Sequence, residues 1–374
     1  MAIAAITLLL TLTLLEVGLR LFAPQYSAEG RAAILDGLLV PDPATGYRNA
    51  PGARVHHRYD EIDAWYQINA QGLRENREVG PPVPDHVRLL ALGDSFTFGW
   101  GVDGAASYPM LLDGTWAASG TPVESVNAGV IGYGTDNEAT WLDVYGWSLH
   151  PRVVLVGFYA GNDVRDVMLG IGKTHVDARG RLGDGTVPPA ATPTGLSGLK
   201  YWLGEHSQAY LFFRDGLYNL THGPPPTPTP LPGQALPDDV VFYLRTEPAD
   251  VAAGWDKVLS LLDAMNRGAR MHGARLIVIS IPAHDQVDGS AWQARVKRLG
   301  LDAESVDLSH PQERLAAWGT ASGVPVIDLL PGFRAAGPQP PRYFQHDSHW
   351  NVAGHALAAQ LITTALARLN LGAP

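Results

Sequence analysis

The 374-residue sequence contains no cysteine. Disulfides, a thiolate nucleophile and cysteine-ligated zinc or iron–sulfur sites are therefore excluded. The compartment stays open, since an exported protein can simply lack the residue. Charge is sparse, at 17 % of residues, and positive charge is the scarcer sign: 27 Lys and Arg stand against 37 Asp and Glu, a net charge of −10. No Lys/Arg stripe occurs. That argues against nucleic acid as a partner, because phosphate binding needs a cationic surface. There is no internal repeat. What the chain does have is apolar content, 46 %, enough for a full core and incompatible with wholesale disorder. The 41 glycines and 29 prolines predict long, turn-rich connections. The length accommodates roughly one to three domains.

The first residues are short of charge in a different way. MAIAAITLLLTLTLL (1–15) carries none, and the apolar run continues to Ala23, interrupted by Glu16 and Arg20. A bilayer span needs about 20 mostly apolar residues. Residues 1–23 are accordingly predicted to be a single N-terminal membrane anchor. Glu16 and Arg20 lie four apart on one helix face and are expected to pair at the headgroup level. A cleaved signal peptide fits less well, with no basic segment before the run and no A-x-A site after it. A buried soluble helix is the plainer alternative. Loop charges do not set the orientation, because no Lys or Arg precedes the run while Arg20 and Arg31 follow it.

Residues 24–85 read as an irregular connector wrapped on the next domain, with a short strand and turn in WYQINAQGLREN (65–76). From there strands and helices alternate. Continuous apolar runs at 87–92, 123–130, 152–159, 274–282 and 324–330 read as strands. Helical patterns cover 108–118, 136–149, 249–271, 311–321 and 352–369. This alternation implies right-handed crossovers and a parallel sheet covered on both faces. It forms one α/β domain over 86–372, with an insertion at 164–248. The insertion holds a polyproline-like loop, PPPTPTPLP (224–232). It also holds a helical stripe of Leu196, Leu199, Leu203, Tyr210, Phe213, Leu217 and Leu220, which is either packed on the core or a lid over a cleft.

Four loops carry candidate chemistry. LALGDSFTFGWGV (90–102) runs a buried strand straight into Gly93-Asp94-Ser95. Ligands of open α/β sheets bind at the carboxyl ends of strands, so Ser95 stands where a nucleophile belongs; the plainer reading makes Asp94 or Ser95 a helix N-cap. A serine hydroxyl needs a base. YFQHDSHWNVAGH (343–355) offers His349, with Asp347 two residues away to hold the imidazole in one tautomer. His346 is a weaker rival base, Asn351 a cap for the last helix, and His355 a structural residue. A metal site on His346, Asp347 and His349 is the competing reading. NAGVIGYGT (127–135) places Gly132 where a backbone N–H can approach an oxyanion. AGND (160–163) places the Asn162 amide at the same sheet edge, with a plain turn and a helix start as the alternatives. Trp100, Trp141, Trp147, Tyr201 and Trp202 are candidate sugar-stacking residues or core.

Taken together, Gly93-Asp94-Ser95, Gly132, Asn162 and Asp347/His349 resemble the four ordered blocks of the SGNH (GDSL-type) hydrolases, over about 86–370. The resemblance implies a flavodoxin-like three-layer sandwich with a five-stranded parallel sheet. It implies Ser95 as nucleophile, His349 as general base and acid, and Asp347 as its orienting carboxylate. It further implies an oxyanion hole of the Ser95 N–H, Gly132 N–H and Asn162 side chain, with no cofactor and no metal. Many members space the last pair D-x-x-H. Here Asp347-Ser348-His349-Trp350 gives D-x-H-W, which is similar to the alginate O-acetyltransferase-like branch. The N-terminal run is also similar to that of membrane-tethered members of bacterial envelopes. The expected activity is a serine esterase acting on a short acyl ester, acetyl first of all, on a small ester or an envelope or exported glycan. An O-acyltransferase, or an inactive glycan-binding module, is the alternative. The expected location is a membrane-anchored, extracytoplasmic domain.

Overall fold

The computed structural model describes residues 2–22, 33–118, 122–171, 175–177, 179–183, 195–222 and 238–369. The polyproline-like loop at 224–232 lies outside them.

The centre is a parallel sheet of five strands. In chain order these are Val87–Gly93, Val123–Asn127, Val153–Tyr159, Arg275–Ile281 and Val326–Asp328. Preceding them are two antiparallel pairs: β1 (Leu39–Asp42) with β2 (Gly46–Asn49), and β3 (Arg54–Tyr59) with β4 (Ile62–Gln67). A two-residue pair, β8 (His175–Val176) and β9 (Leu182–Gly183), lies in the insertion. The sheet strands are therefore β5, β6, β7, β10 and β11, in the spatial order β11-β10-β7-β5-β6.

Alternation along each strand explains the layers. In β5, Leu90 and Leu92 join one hydrophobic cluster, while Leu89 and Ala91 join the other. In β10, Leu276 and Val278 face the first cluster, and Ile277, Ile279 and Ile281 the second. A strand buried on both faces has no polar side to show, which is why these runs are continuously apolar. Helices α4 (Thr135–Val144) and α8 (Ala249–Met271) cover the first face through Trp141, Leu142, Trp255, Val258 and Leu262. Helices α3 (Tyr108–Ala118) and α9 (Val352–Arg368) cover the second through Tyr108, Leu112, Ala358 and Ile362. The three expected layers are present.

The sheet order reverses between β5 and β7. Such a switch point opens a crevice at the carboxyl ends of the two strands. Ser95 follows β5, and Asn162 follows β7.

The reading of 24–85 as irregular is corrected here. The segment read as an irregular connector forms two hairpins, and Leu39, Tyr47, Val55, Ile62 and Tyr66 on them are buried in the first core cluster. Their strands are only 4–6 residues long, too short for alternation to stand out from a Pro- and Gly-rich background. At the start of the chain, α1 spans Ala2–Phe22, yet no helix among the described residues is long and apolar enough to cross a membrane. Glu16 and Arg20 do pair, at 2.8 Å, but their other contacts are to protein. Glu16 accepts the N–H groups of Gln208 and Ala209 at 3.0 Å each and the Ser207 hydroxyl at 3.1 Å. Arg20 donates to the His206 carbonyl at 2.7 Å. One charge thus caps the start of α7 (Gln208–His222) and the other the end of α6 (Gly195–His206). The stripe of these two helices is not turned to the core, since Leu196, Leu199, Phe213 and Leu217 are exposed.

Candidate active site

Strand β5 ends at Gly93, and the chain turns through Asp94 into a single helical turn, α2 (Ser95–Phe98). Gly93 has φ 155°, and a Cβ there would lie 2.0 Å from Thr97 Oγ1. Only glycine lets strand and helix approach this closely. Asp94 is the N-cap, its Oδ1 accepting the Phe96 N–H at 2.9 Å. Cap and candidate nucleophile fall on adjacent residues and do not compete. Asp94 is fully buried, and burial pushes its carboxyl pKa up against the Phe96 N–H and the nearby His349, which hold it down.

Ser95 Oγ lies 2.7 Å from His349 Nε2. The other ring nitrogen, Nδ1, is hydrogen-bonded to Asp347 Oδ1, and the same oxygen accepts the His349 backbone N–H at 2.9 Å. A two-residue spacing permits this, because a carboxylate reaches the backbone N–H two residues on, as in an Asx turn. The shorter D-x-H spacing therefore fastens backbone and ring of one histidine to one oxygen. The second oxygen, Oδ2, accepts the Trp100 indole N–H at 3.1 Å. Burial acts to raise the Asp347 pKa, but the His349 and Trp100 bonds outweigh it and pull the carboxyl down to about 2.

The loop carrying this pair is braced from three sides. Tyr343 and Trp350 form an antiparallel bridge, and the Phe344 N–H donates to the His349 carbonyl at 3.0 Å. Asn351 caps α9, its Oδ1 accepting the N–H groups of Ala353 and Gly354 at 3.0 and 3.1 Å. The turn of the β3–β4 hairpin holds the tip: Glu61 accepts the N–H groups of Gln345 and His346 at 2.8 and 2.6 Å.

The metal reading on His346, Asp347 and His349 is not the grouping the structure makes. His346 is turned to Asp60, Nδ1 to Oδ2 at 2.9 Å, while Asp347 and His349 bond each other. Asp60, Glu61 and His346 do converge, but all three are exposed, and Glu61 is occupied by the two loop N–H groups. His355 is buried, accepts the Tyr108 N–H at 3.2 Å, and is driven down to a pKa of about 3 by burial. Its place is structural.

The Gly-rich loop is docked beside Ser95. Ala128 and Val130 donate to the carbonyls of Ala91 and Gly93 at 2.9 and 3.0 Å, and Asn127 Nδ2 to the Thr97 carbonyl at 2.8 Å. Gly132 has φ 73°, and a Cβ would sit 2.9 Å from the Tyr47 hydroxyl, which itself donates to the Ile131 carbonyl at 3.0 Å. Neither the Ser95 nor the Gly132 amide is bound by an acceptor among the described residues. Asn162 occupies the N-cap position of α5 (Asp163–Leu169), but its side chain makes no cap bond and lies beside the Asp94 carboxyl. Asp163 is buried there too. Burial first, then the neighbouring carboxylates Glu138, Asp94 and Asp166, push its pKa well above the usual carboxylate range.

Of the aromatic candidates, Trp141 is core and Trp147 stacks on His272 at 4.4 Å. Tyr201 and Trp202 are exposed on α6. Trp100 contributes its N–H to Asp347 rather than an open face. Sequence reasoning missed this bond and the Glu61 brace, because nothing local to residues 61 or 100 signals a loop near 347. It also missed His57. That ring is pushed down to about 4 by burial, with Asp347 opposing, and is bonded to the Tyr66 hydroxyl at 2.7 Å and packed 4.6 Å from Trp100.

Residues 91–357 match the family model described as the GDSL-like lipase/acylhydrolase family. No curated protein matches the chain. Among solved structures, the chain is similar to an acetyl xylan esterase at 14 % identity, over 75 % of this chain and 100 % of that one, with a TM-score of 0.39. It is also similar to a lipase/acylhydrolase from Enterococcus faecalis, at 17 % identity, 75 % and 95 % coverage and a TM-score of 0.38. A GDSL-like lipase from Bacteroides thetaiotaomicron is similar at 12 % identity, 78 % and 92 % coverage and a TM-score of 0.38.

Proposed function

The chain belongs to the GDSL-like lipase/acylhydrolase family, and from that premise we propose that it is a serine esterase with Ser95 as nucleophile, His349 as general base and acid, and Asp347 as orienting carboxylate. The observation that carries this reading is the unbroken contact from Ser95 Oγ through His349 to Asp347, made across 254 positions of sequence. Ser95 Oγ attacks the ester carbonyl carbon while its proton passes to His349 Nε2. Asp347, ionised far below neutral pH, stabilises the imidazolium that forms. The oxyanion is received by the Ser95 and Gly132 N–H groups and the Asn162 amide. Collapse breaks the ester C–O bond as Nε2 returns the proton to the departing alcohol. Water, giving its proton to His349 Nε2, then attacks the acyl carbon; collapse breaks the acyl–Oγ bond, Nε2 returns the proton to Ser95 Oγ, and the carboxylic acid leaves.

The substrate we propose is a short acyl ester, acetyl first, on an envelope or exported glycan. The D-x-H-W block supports this by its similarity to proteins that modify exported polysaccharides. We also propose that the domain is held at a membrane, on its extracytoplasmic side, through α1, which carries no charge over residues 2–15. The test of the chemistry is Ser95→Ala. Wild-type protein is expected to be labelled by a fluorophosphonate probe and to release acetate from acetylated oligosaccharides, and the variant to do neither. Unchanged labelling of the variant removes Ser95, and cleavage of long-chain esters alone removes the short-acyl substrate.

A further inference from the structure

The β3–β4 hairpin lies outside residues 91–357, which carry the family match, yet it reaches the catalytic loop. Tyr59 pairs with Ile62, so Asp60 and Glu61 form a two-residue turn. Both carboxylate oxygens of Glu61 are engaged: Oε2 accepts the Gln345 N–H at 2.8 Å and Oε1 the His346 N–H at 2.6 Å. The next residue along the loop is Asp347. Asp60 Oδ2 bonds His346 Nδ1 at 2.9 Å. Asp60 has φ 52°, a left-handed conformation that glycine adopts at less cost. An aspartate there gives the turn a second carboxylate on the loop. Behind the turn, a Cβ on Gly101 would lie 2.4 Å from Phe344 Cε2 and 3.4 Å from Ile62 Cδ1, so loop and hairpin close on the residue that follows Trp100. The strands of the same hairpin hold Trp100 itself. His57 and Tyr66 lie against the indole with ring centres 4.6 and 6.2 Å away, and the Tyr66 hydroxyl accepts the Gly101 N–H at 2.7 Å.

One element therefore approaches Asp347 from two directions: through the backbone at 345 and 346, and through the indole that donates to Oδ2. A hydrogen bond to an ionised acceptor is shorter and stronger than a neutral one, and two on one carboxylate fix direction as well as distance. Triad geometry tolerates little error, since a displacement of about 1 Å can cost about a hundredfold in rate. We infer that Glu61 is a positioning residue for the esterase reaction: it fixes the loop tip so that Asp347 meets His349 Nδ1, and the β3–β4 hairpin is a working part of the active site. Glu61 acts through the backbone of Gln345 and His346, not on the substrate. The inference rests on the esterase reading.

Variants of the full chain test it. Glu61→Ala is expected to lower kcat on acetylated xylo-oligosaccharide about tenfold or more, with KM nearly unchanged. Glu61→Gln keeps one acceptor and is expected to fall between Glu61→Ala and the wild type. Asp63→Asn removes the hairpin's own pair with His56, at 2.6 Å, and leaves the bonds at 60 and 61 in place. Its kcat is expected to match the wild type. A loss in Asp63→Asn equal to that in Glu61→Ala would make hairpin stability the cause and overturn the positioning role. A raised KM at unchanged kcat overturns it too, because Glu61 also lines a cavity of about 880 Å3 beside the loop and would then be a binding residue. The second readout needs no turnover. The His349 Nδ1 proton, deshielded by its bond to Asp347, gives a low-field proton resonance that Asp347→Ala identifies by deleting it. In Glu61→Ala this resonance is expected to move upfield and exchange faster with water, at a melting temperature close to that of the wild type. An unmoved resonance overturns the inference. Failure of the wild type to turn over any ester overturns the esterase reading instead, and the resonance still decides whether Glu61 sets the Asp347–His349 bond.

Discussion

At the scale of single residues, the site turns on how Asp347 distributes its two oxygens. One serves the histidine twice, and the other takes the Trp100 indole. A hydrogen bond to a charged group contributes about 1.5–3 kcal/mol. Trp100→Phe keeps the ring and deletes the donor, and steady-state kinetics are expected to show kcat lowered about tenfold or more with KM nearly unchanged. The same change has a pH signature. Asp347 is depressed from an ordinary 3.8 to about 2, so its stabilising contribution is present above 3.8 and lost as pH falls through 2. Removing the indole raises the folded pKa toward the unfolded one. The drop in melting temperature between pH 4 and pH 2 is therefore expected to be smaller in the variant. Asn162 answers to a different measurement. As an oxyanion donor its loss in Asn162→Ala is expected to cost about 2.7–4 kcal/mol of transition-state stabilisation, and a wild-type kcat would remove it from the site.

At the scale of elements, strands and helices of the sheet domain were legible because each repeats a pattern over many residues. The pattern at 108–118 becomes a helix at those bounds, Tyr108–Ala118, and that at 249–271 becomes Ala249–Met271. The apolar run at 123–130 overshoots the strand, which stops at Asn127. The residues beyond it are buried as the loop that hydrogen-bonds to Ala91, Gly93 and Thr97, and burial alone does not distinguish strand from buried loop. Helix α1 is the opposite case. Its hydrophobicity was legible, but the partners of Glu16 and Arg20 were not, since they lie about 190 positions away. Burial acts to raise the Glu16 pKa, but bonds from Ala209, Gln208 and Arg20 outweigh it and bring the carboxylate down to about 2 from an ordinary 4.5. Its contribution is present above 4.5 and disappears as pH falls through 2. Hydrogen exchange is expected to show the Gln208 and Ala209 amides losing protection over that interval, and already unprotected at neutral pH in Glu16→Ala.

At the scale of the molecule, the two N-terminal hairpins are built into the fold rather than laid over it. Glu75, which follows them, is buried and accepts the Asn127 N–H at 2.9 Å at the carboxyl end of β6. Burial pushes its pKa up to about 7 from an ordinary 4.5. A carboxyl raised on folding contributes stability that is full below 4.5 and lost as pH rises through 7. Urea midpoints across pH 5 to 8 are expected to fall less steeply in Glu75→Gln than in the wild type, and the variant to be the more stable at pH 8. A parallel slope in the two proteins would assign the pH dependence to another group.

The sequence by itself determined the alternation of buried strands and helices, the parallel sheet that follows from it, and which loops leave its carboxyl edge. Those properties arise from periodicity and turn chemistry, which act over a few residues and can be read along the chain. Tertiary structure alone decided that Trp100 and Glu61 brace the Asp347–His349 loop, that His346 turns away to Asp60, and that Glu16 and Arg20 spend their charge on α6 and α7. Each of these joins residues far apart in sequence, and a hydrogen bond depends on where two atoms arrive in space. No local pattern encodes that arrival; it is set by the packing of the whole core.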